Sequence, residues 1–309
     1  MTTSSDSRQV TDLLFVHALT GLHPGSGTAL GVVDLPVQRE RHTQWPTIPG
    51  SSLKGILRDA CREALLARYG SRKEADADAD LTAVFGPPSD SAHEHAGALA
   101  LTDARLLAFP VRSLRGVFAW TTCKTALDRL NRDLGLTCGG RLDGIPDVAK
   151  DSAACAENSP LLVDGKFLVL EEFEFEHTAA TGNVGNWIAD HATADVATQE
   201  RIKTHLAILH DDDFTHFVRH ATEVVARVGL DYETKTVKSG ALFYEEFLPA
   251  ETIFYSLAIA EDGHSKEKRS AQEIMDWVRK DLPKVLHVGA GQTVGKGLCA
   301  VRLDAGKGE

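Results

Sequence analysis

The chain has 309 residues, 43% of them hydrophobic, with 33 Lys+Arg against 44 Asp+Glu for a net charge of −11. That length and apolar content suffice for a sizeable core, while the acidic balance excludes a global positive field that would draw in nucleic acid or an anionic membrane. Any anion site is therefore local. The five cysteines, Cys61, Cys123, Cys138, Cys155 and Cys299, are odd in number and lack C-x-x-C spacing, which suits reduced thiols and speaks against a zinc module or a disulfide framework. No segment has the apolar length of a signal peptide or a membrane span, so the expected location is cytoplasmic.

In chain order, the first expected strand is "LLFVHALTGLH" at 13–23, ending in the turn "PGSG". The passage "TALGVVDLPVQRERHTQWPTIPG" is too rich in Gly and Pro for a helix and reads as extended. A helix follows from "SSLKG" to about Gly70, its stripe carried by Leu53, Ile56, Leu57, Ala60, Cys61, Ala64 and Leu65 at 3, 4, 7, 8 spacing. Residues 71–80, "SRKEADADAD", read as a loop. Strands are expected at 97–111 and 117–120 and a helix at 121–134, whereas 135–165 has little periodicity. "KFLVLEEFEFEHTA" alternates as one strand, one or two helices occupy 187–222, and 223–262 reads as paired strands turning near "DYETK". A last helix, 268–281, precedes a strand at "VLHVG", the loop "GAGQTVGKG" and a closing strand "LCAVRL". The mixture lacks a βαβ rhythm and predicts an α+β fold, a mostly antiparallel sheet with helices on one face.

Several features could carry chemistry. Lys54 and Arg58 sit in the first turns of a helix, the wrong sign of charge for that end unless an anion lies among them. Ser51 or Ser52 is the expected cap, and Lys54, Arg58 and Arg62 recur every four residues as one basic stripe, with Asp59 and Glu63 on another face. That stripe is either a solvated face or a track for a polyanion. In "GAGQTVGKG", Gly289, Gly291, Gly295 and Gly297 surround Lys296, a composition open to two readings: a flexible hairpin turn or a backbone nest for phosphate. The spacing departs from a P-loop, and Gly297 stands where Ser or Thr belongs. Asp34, in "GVVDLPVQRERH", is either a turn residue before Pro36 or a metal-binding or general-base carboxylate. His216 and His220 have the i, i+4 spacing of metal ligands, without a third ligand in view.

Taken together, "LHPGSG", "VDLPVQRERHTQWPTIPGSSLKGILRD", "DYETKTVKSGALFYEEFLPAE" and "GAGQTVGKGL" resemble the repeated backbone subunit of the type III-B CRISPR effector, the Cmr complex, within the RAMP superfamily. The matching blocks run from residue 13 to 303. The glycine-rich loop marks only the superfamily; the "VDLP" and "GALFYEEFLP" blocks are more specific. The resemblance implies one domain over 1–309, a ferredoxin-like, RRM-type palm with inserted fingers elements, insertions near 71–96 and 135–165, and a β-hairpin thumb at about 223–243. It implies copies stacked head to tail along a guide RNA beside other subunits of the complex. It further implies an endoribonuclease of antiviral defence that cuts bound target RNA once per subunit with a divalent metal, Mg²⁺ or Mn²⁺.

By the same resemblance the essential acid, and the metal's protein ligand, falls on Asp34, with His23 and Glu245 as secondary catalytic candidates. Lys54, Arg58, Gly291, Gly295 and Lys296 fall on guide-RNA contacts, joined by Arg39 and Arg41. Such contacts hold phosphates and leave the bases free to pair. The rival readings are a guide-binding scaffold that does not cut, the equivalent subunit of the type III-A complex, in which the "GALFYEEFLP" block is not expected in this form, and a free-standing metal hydrolase built on "HDDDF" with His216 and His220.

Overall fold

Strand β1 (Gln9–Ala18) is apolar at consecutive positions, and Leu13, Leu14, Phe15 and Val16 are all buried. A strand of that kind belongs in the middle of a sheet covered on both faces. The computed structural model describes residues 9–28, 31–88, 90–91, 93–137, 140–264 and 268–304, and there β1 lies between two antiparallel neighbours.

After β1 come β2 (Thr47–Ile48), α1 (Gly50–Tyr69), α2 (Arg72–Asp76), α3 (Ala79–Phe85), β3 (Leu99–Leu101), β4 (Ala104–Arg112), β5 (Phe118–Cys123) and α4 (Lys124–Leu134). The middle of the chain forms β6 (Ser152–Cys155), β7 (Leu162–Val163), β8 (Phe167–Leu170), β9 (Phe173–Ala180), α5 (Asn183–Ala192), α6 (Val196–His205), β10 (Leu206–Leu209) and α7 (Asp211–His220). The rest forms β11 (Glu223–Leu230), β12 (Val237–Phe247), β13 (Ile253–Glu261), α8 (Ala271–Asp281), β14 (Val285–His287), a 3-10 turn Gln292–Val294 and β15 (Leu298–Asp304).

The large sheet has the order β14-β15-β1-β13-β4-β5-β10-β6-β9-β8-β7, with β2 added on β4 and β3 on β13. Its pairs are antiparallel except β5 with β10 and β6 with β9. Strands β11 and β12 form a separate two-stranded ribbon. Alternate residues of β1 feed two cores. Leu14 and Val16 join Leu53 and Leu57 of α1, Phe214 of α7 and Ile274 of α8. Leu13 and Phe15 join Leu127 and Leu130 of α4, Ile188 of α5 and Ile202 of α6. Helices thus cover both faces, not one as expected; the unbroken apolar runs of β1 and β4 supply residues to each side.

Helix α1 ends where expected, at Gly70 in the left-handed region (φ 75°), the conformation glycine adopts without a Cβ clash. The stretch 71–96, read as a loop, contains α2 and α3. Ser71 accepts from the Glu74 amide, Asp78 accepts from the Asp80 and Leu81 amides, and Ala75 and Leu81 are fully buried. Two caps and two apolar anchors outweigh the low-complexity composition. The stretch 135–165 likewise contributes β6, all four of its residues buried between β10 and β9. "KFLVLEEFEFEHTA" is two strands, β8 and β9, turning at Glu171 (φ 51°). Among the described residues no helix is long and apolar enough to cross a membrane.

Candidate nucleic-acid interface and active site

The ribbon β11–β12 is rooted in the palm by a ladder of three irregular segments. Leu22 exchanges backbone hydrogen bonds with Leu248 at 2.9 and 2.8 Å, Gly25 pairs with Val37, and Leu35 pairs in parallel with Glu245. The Leu35 amide donates to the Tyr244 carbonyl and the Glu246 amide to the Leu35 carbonyl, each at 3.0 Å. Asp34 is the residue before that pairing. Its half-buried carboxylate accepts the Tyr244 amide through Oδ2 at 2.7 Å. The carboxylate is thereby clamped to the root of the ribbon.

His23 and Glu245 reach the same root, but both are buried, at 4% and 8% exposure. The His23 ring donates through Nδ1 to the Glu246 carbonyl at 2.6 Å, since a carbonyl can only accept, and its Nε2 abuts Gly25, where a Cβ would stand 2.9 Å away. Glu245 accepts Nε of Arg227 across the ribbon at 3.1 Å. Fully buried Phe247 gathers the surroundings: its ring is 5.6 Å from that of His23, 5.8 Å from the Arg227 guanidinium and 4.8 Å from Lys296 Nζ.

The Lys296 contact brings the glycine-rich loop to the site. Gly291 (φ 84°) and Gly295 (φ 76°) flank the 3-10 turn, and the amides of Ala290, Val294, Gly295, Lys296 and Gly297 all donate to carbonyls within the chain. Those amides are satisfied within the fold, and the half-buried Lys296 ammonium lies on the Phe247 face.

The basic helix start differs from expectation. Neither Ser51 nor Ser52 caps α1; the N-cap is Pro49, and the Gly50 amide donates to Asp103 Oδ1 at 2.8 Å. A carboxylate of this chain thus supplies one anion at that end. Lys54 donates to the Leu99 carbonyl at 2.7 Å and Arg58 to the Pro87 carbonyl at 3.2 Å; burial, then the neighbouring Arg58 charge, lowers the Lys54 pKa. Arg62 leaves the stripe altogether. It is 7% exposed and ion-paired with Asp59 and Asp76.

Arg41 is exposed, whereas Arg39 is turned inward: it donates to the Gln44 carbonyl at 2.8 Å, the Val218 carbonyl at 3.1 Å and Glu246 Oε1 at 2.6 Å. His216 and His220 make ring contact at 4.8 Å. No group of three or more His, Cys, Asp or Glu side chains suited to a metal occurs among the described residues. Burial and the nearby His216, Arg219 and Arg39 lower the His220 pKa.

Sequence reading missed Glu246, the most heavily bonded carboxylate of the site, and the Tyr244 amide that orients Asp34. A signal existed: two adjacent acids inside the apolar run "LFYEEFLP" must each find partners if buried.

A palm of this construction with a rooted ribbon and a glycine-rich loop defines a class. The RAMP superfamily model matches residues 15–300, and the chain belongs to that superfamily. Over 296 residues it is 40% identical to the CRISPR system Cmr endoribonuclease Cmr4 of Pyrococcus furiosus, covering 94% of this chain and 95% of that one. It is 27% identical to the CRISPR system CMR subunit Cmr4 of Saccharolobus solfataricus, over 93% of this chain and 94% of that one. The crystal structure of oligomeric Cmr4 from Pyrococcus furiosus superposes with a TM-score of 0.69 at 31% identity, covering 96% of this chain and 99% of that one.

Proposed function

We propose that this chain is a backbone subunit of a type III-B CRISPR effector that binds guide RNA and cuts the paired target RNA, with Asp34 as the essential acid. The observation that carries the reading is the clamping of Asp34 to the root of a ribbon: Asp34 Oδ2 on the Tyr244 amide at 2.7 Å. The relative's name as a Cmr endoribonuclease, at 40% identity, supports the activity, and that of oligomeric Cmr4 supports association of copies; head-to-tail stacking beside other subunits, in the cytoplasm, is part of the same proposal.

In this reading β11–β12 is the thumb that displaces a nucleotide of the target. The displaced nucleotide turns its 2′-hydroxyl toward the adjacent phosphate, and attack on that phosphate needs a negative group fixed beside the hydroxyl. Asp34 suits the role because one oxygen is anchored by a backbone donor and the other remains to accept. His23 and Glu245 are inside the fold, so their part is to shape the root of the ribbon. Lys296 and Arg41 neutralise phosphates of the guide, and Lys54 and Arg58 each keep donors beyond the single carbonyl they hold.

Among the described residues no group of three His, Cys, Asp or Glu side chains forms a metal site, so Asp34 would hold Mg²⁺ or Mn²⁺ together with RNA oxygens, in keeping with the habit of Mg²⁺ of binding through one or two carboxylates plus substrate phosphates. When bound, the ion would supply stabilisation of charge on the phosphoryl oxygens.

The test is reconstitution with guide RNA and a matched target, comparing wild type with Asp34→Ala and measuring binding and cutting separately, with Mg²⁺ or Mn²⁺ present. Loss of the periodic cuts with binding retained supports the reading. Unchanged cutting removes Asp34 from the mechanism, and a wild type that binds without cutting leaves a scaffold.

A further inference from the structure

The Glu246 carboxylate is 7% exposed and lies where the ribbon, the Asp34 segment and α7 meet. Oε2 accepts the Val37 amide at 3.0 Å; Oε1 accepts Arg39 Nη2 at 2.6 Å and the Thr222 hydroxyl at 2.9 Å. Its backbone joins the same structure from the other side, the amide donating to the Leu35 carbonyl at 3.0 Å and the carbonyl accepting from His23 at 2.6 Å. One residue therefore holds Leu35, Val37 and Arg39, the alternate positions that follow Asp34, and ties them to the strand whose Tyr244 amide orients the Asp34 carboxylate.

We infer that Glu246 is a positioning residue for Asp34, and that the Glu246–Arg39 pair keeps the carboxylate in fixed register with the ribbon. This rests on the reading of Asp34 as the essential acid. Arg39 is, on the same geometry, a strut of the site: its Nη1 bonds go to the Gln44 and Val218 carbonyls and its Nη2 bond to Glu246. Truncation of Glu246 to Ala leaves the Arg39 guanidinium without its counter-charge and the Val37 amide without that acceptor, so residues 34–39 lose their lateral hold while the backbone pairing at Leu35 persists. Asp34 then samples positions away from the hydroxyl it must meet. A misplacement near 1 Å costs about 100-fold in rate without any change in how strongly RNA is held.

The experiment compares Glu246→Ala, Glu246→Gln and Thr222→Val with wild type in the reconstituted complex, following target affinity, kcat, the positions of the cuts and amide hydrogen exchange over 31–40 and 244–248. Glu246→Ala is expected to lower kcat about 100-fold with target affinity within about two-fold, to blur the cut positions and to speed exchange at 34–39. Glu246→Gln, which keeps an oxygen for the Val37 amide, is expected to restore part of both, and Thr222→Val to show a smaller effect of the same pattern. Should Glu246→Ala fail to assemble, the other two variants decide. Variants that assemble, cut with wild-type kcat at wild-type positions and exchange normally over 34–39 overturn the inference. A wild type that does not cut removes the reading on which Asp34 rests; exchange over 34–39 in the variants then still shows whether Glu246 holds the segment.

Discussion

The Asp34 carboxylate and the Tyr244 backbone amide meet at 2.7 Å, so the acid and the ribbon's second strand share one hydrogen bond. Because the donor belongs to the backbone, no substitution at position 244 other than proline removes it. Asp34→Asn keeps an oxygen able to accept that amide and loses only the charge. Assembly and RNA binding should persist while the rate of target cutting falls by about 100-fold or more, read by gel analysis of matched target under saturating complex. An Asn variant that cuts like wild type would show that charge at this position is irrelevant.

Substitutions at Lys296 and Arg39 are expected to separate the proposed contact with RNA from support of the site. Lys296→Met should weaken guide binding and reduce the slope of log affinity against log salt by roughly 0.7, the share of one neutralised phosphate on a single strand, measured by titration at several salt concentrations. Arg39→Met should leave that slope near the wild-type value and instead lower stability and cutting, because its bonds go to Gln44, Val218 and Glu246.

Two glycines of the same loop predict different costs. At Gly289 (φ 76°) a Cβ would stand 2.2 Å from the His23 carbonyl oxygen, whereas at Gly295 (φ 76°) nothing lies within 4 Å. Gly295→Ala carries backbone strain alone, about 1 kcal/mol, while Gly289→Ala adds a backbone clash and should cost clearly more, roughly 3 kcal/mol or above. Urea unfolding midpoints check the order. Equal losses would mean that the approach of 289 to His23 is not tight.

Glu40 sets an acid limit on the Asp34 segment. Burial raises its pKa, but bonds from Arg129 and Thr43 and the Arg129 charge outweigh this, and the pKa lies below the ordinary 4.5. A carboxylate depressed in the folded state contributes stability that is fully present above its unfolded pKa and is lost as pH falls through the folded value. Stability should therefore decline as pH falls below about 4.5. Arg129→Met should flatten that part of the profile, measured by unfolding across pH 3–7. A profile unchanged by Arg129→Met would place the acid sensitivity elsewhere.

Much of the fold was legible where a strong period met a clear stop. Helix α1 combined the 3, 4, 7, 8 stripe with Gly70, and the strands around "DYETK" alternated on both sides of a polar turn. Strand β10 was illegible for a physical reason: "LAIL" is four residues of unbroken apolar sequence between two helices, and periodicity cannot separate a fully buried strand from helix at that length. The site divides similarly. Asp34, His23, Glu245 and Lys296 converge on the root of the ribbon from segments far apart in sequence, and only the resemblance to a family had grouped them. The inward turn of Arg39 depends on Val218, 179 residues away, and on Glu246, 207 residues away, distances beyond the reach of any local pattern.

The large sheet ends in β14, three residues long, and β7, two residues long. Strands so short expose few unpaired amides and carbonyls, and so offer little template for a foreign strand to zip onto. For a chain proposed to stack in copies this matters: a long naked edge would invite cross-β adhesion in competition with the intended contacts. The stunted margins of the large sheet narrow that route to aggregation, leaving the projecting ribbon, a separate two-stranded sheet, as the longer edge at which other molecules adhere.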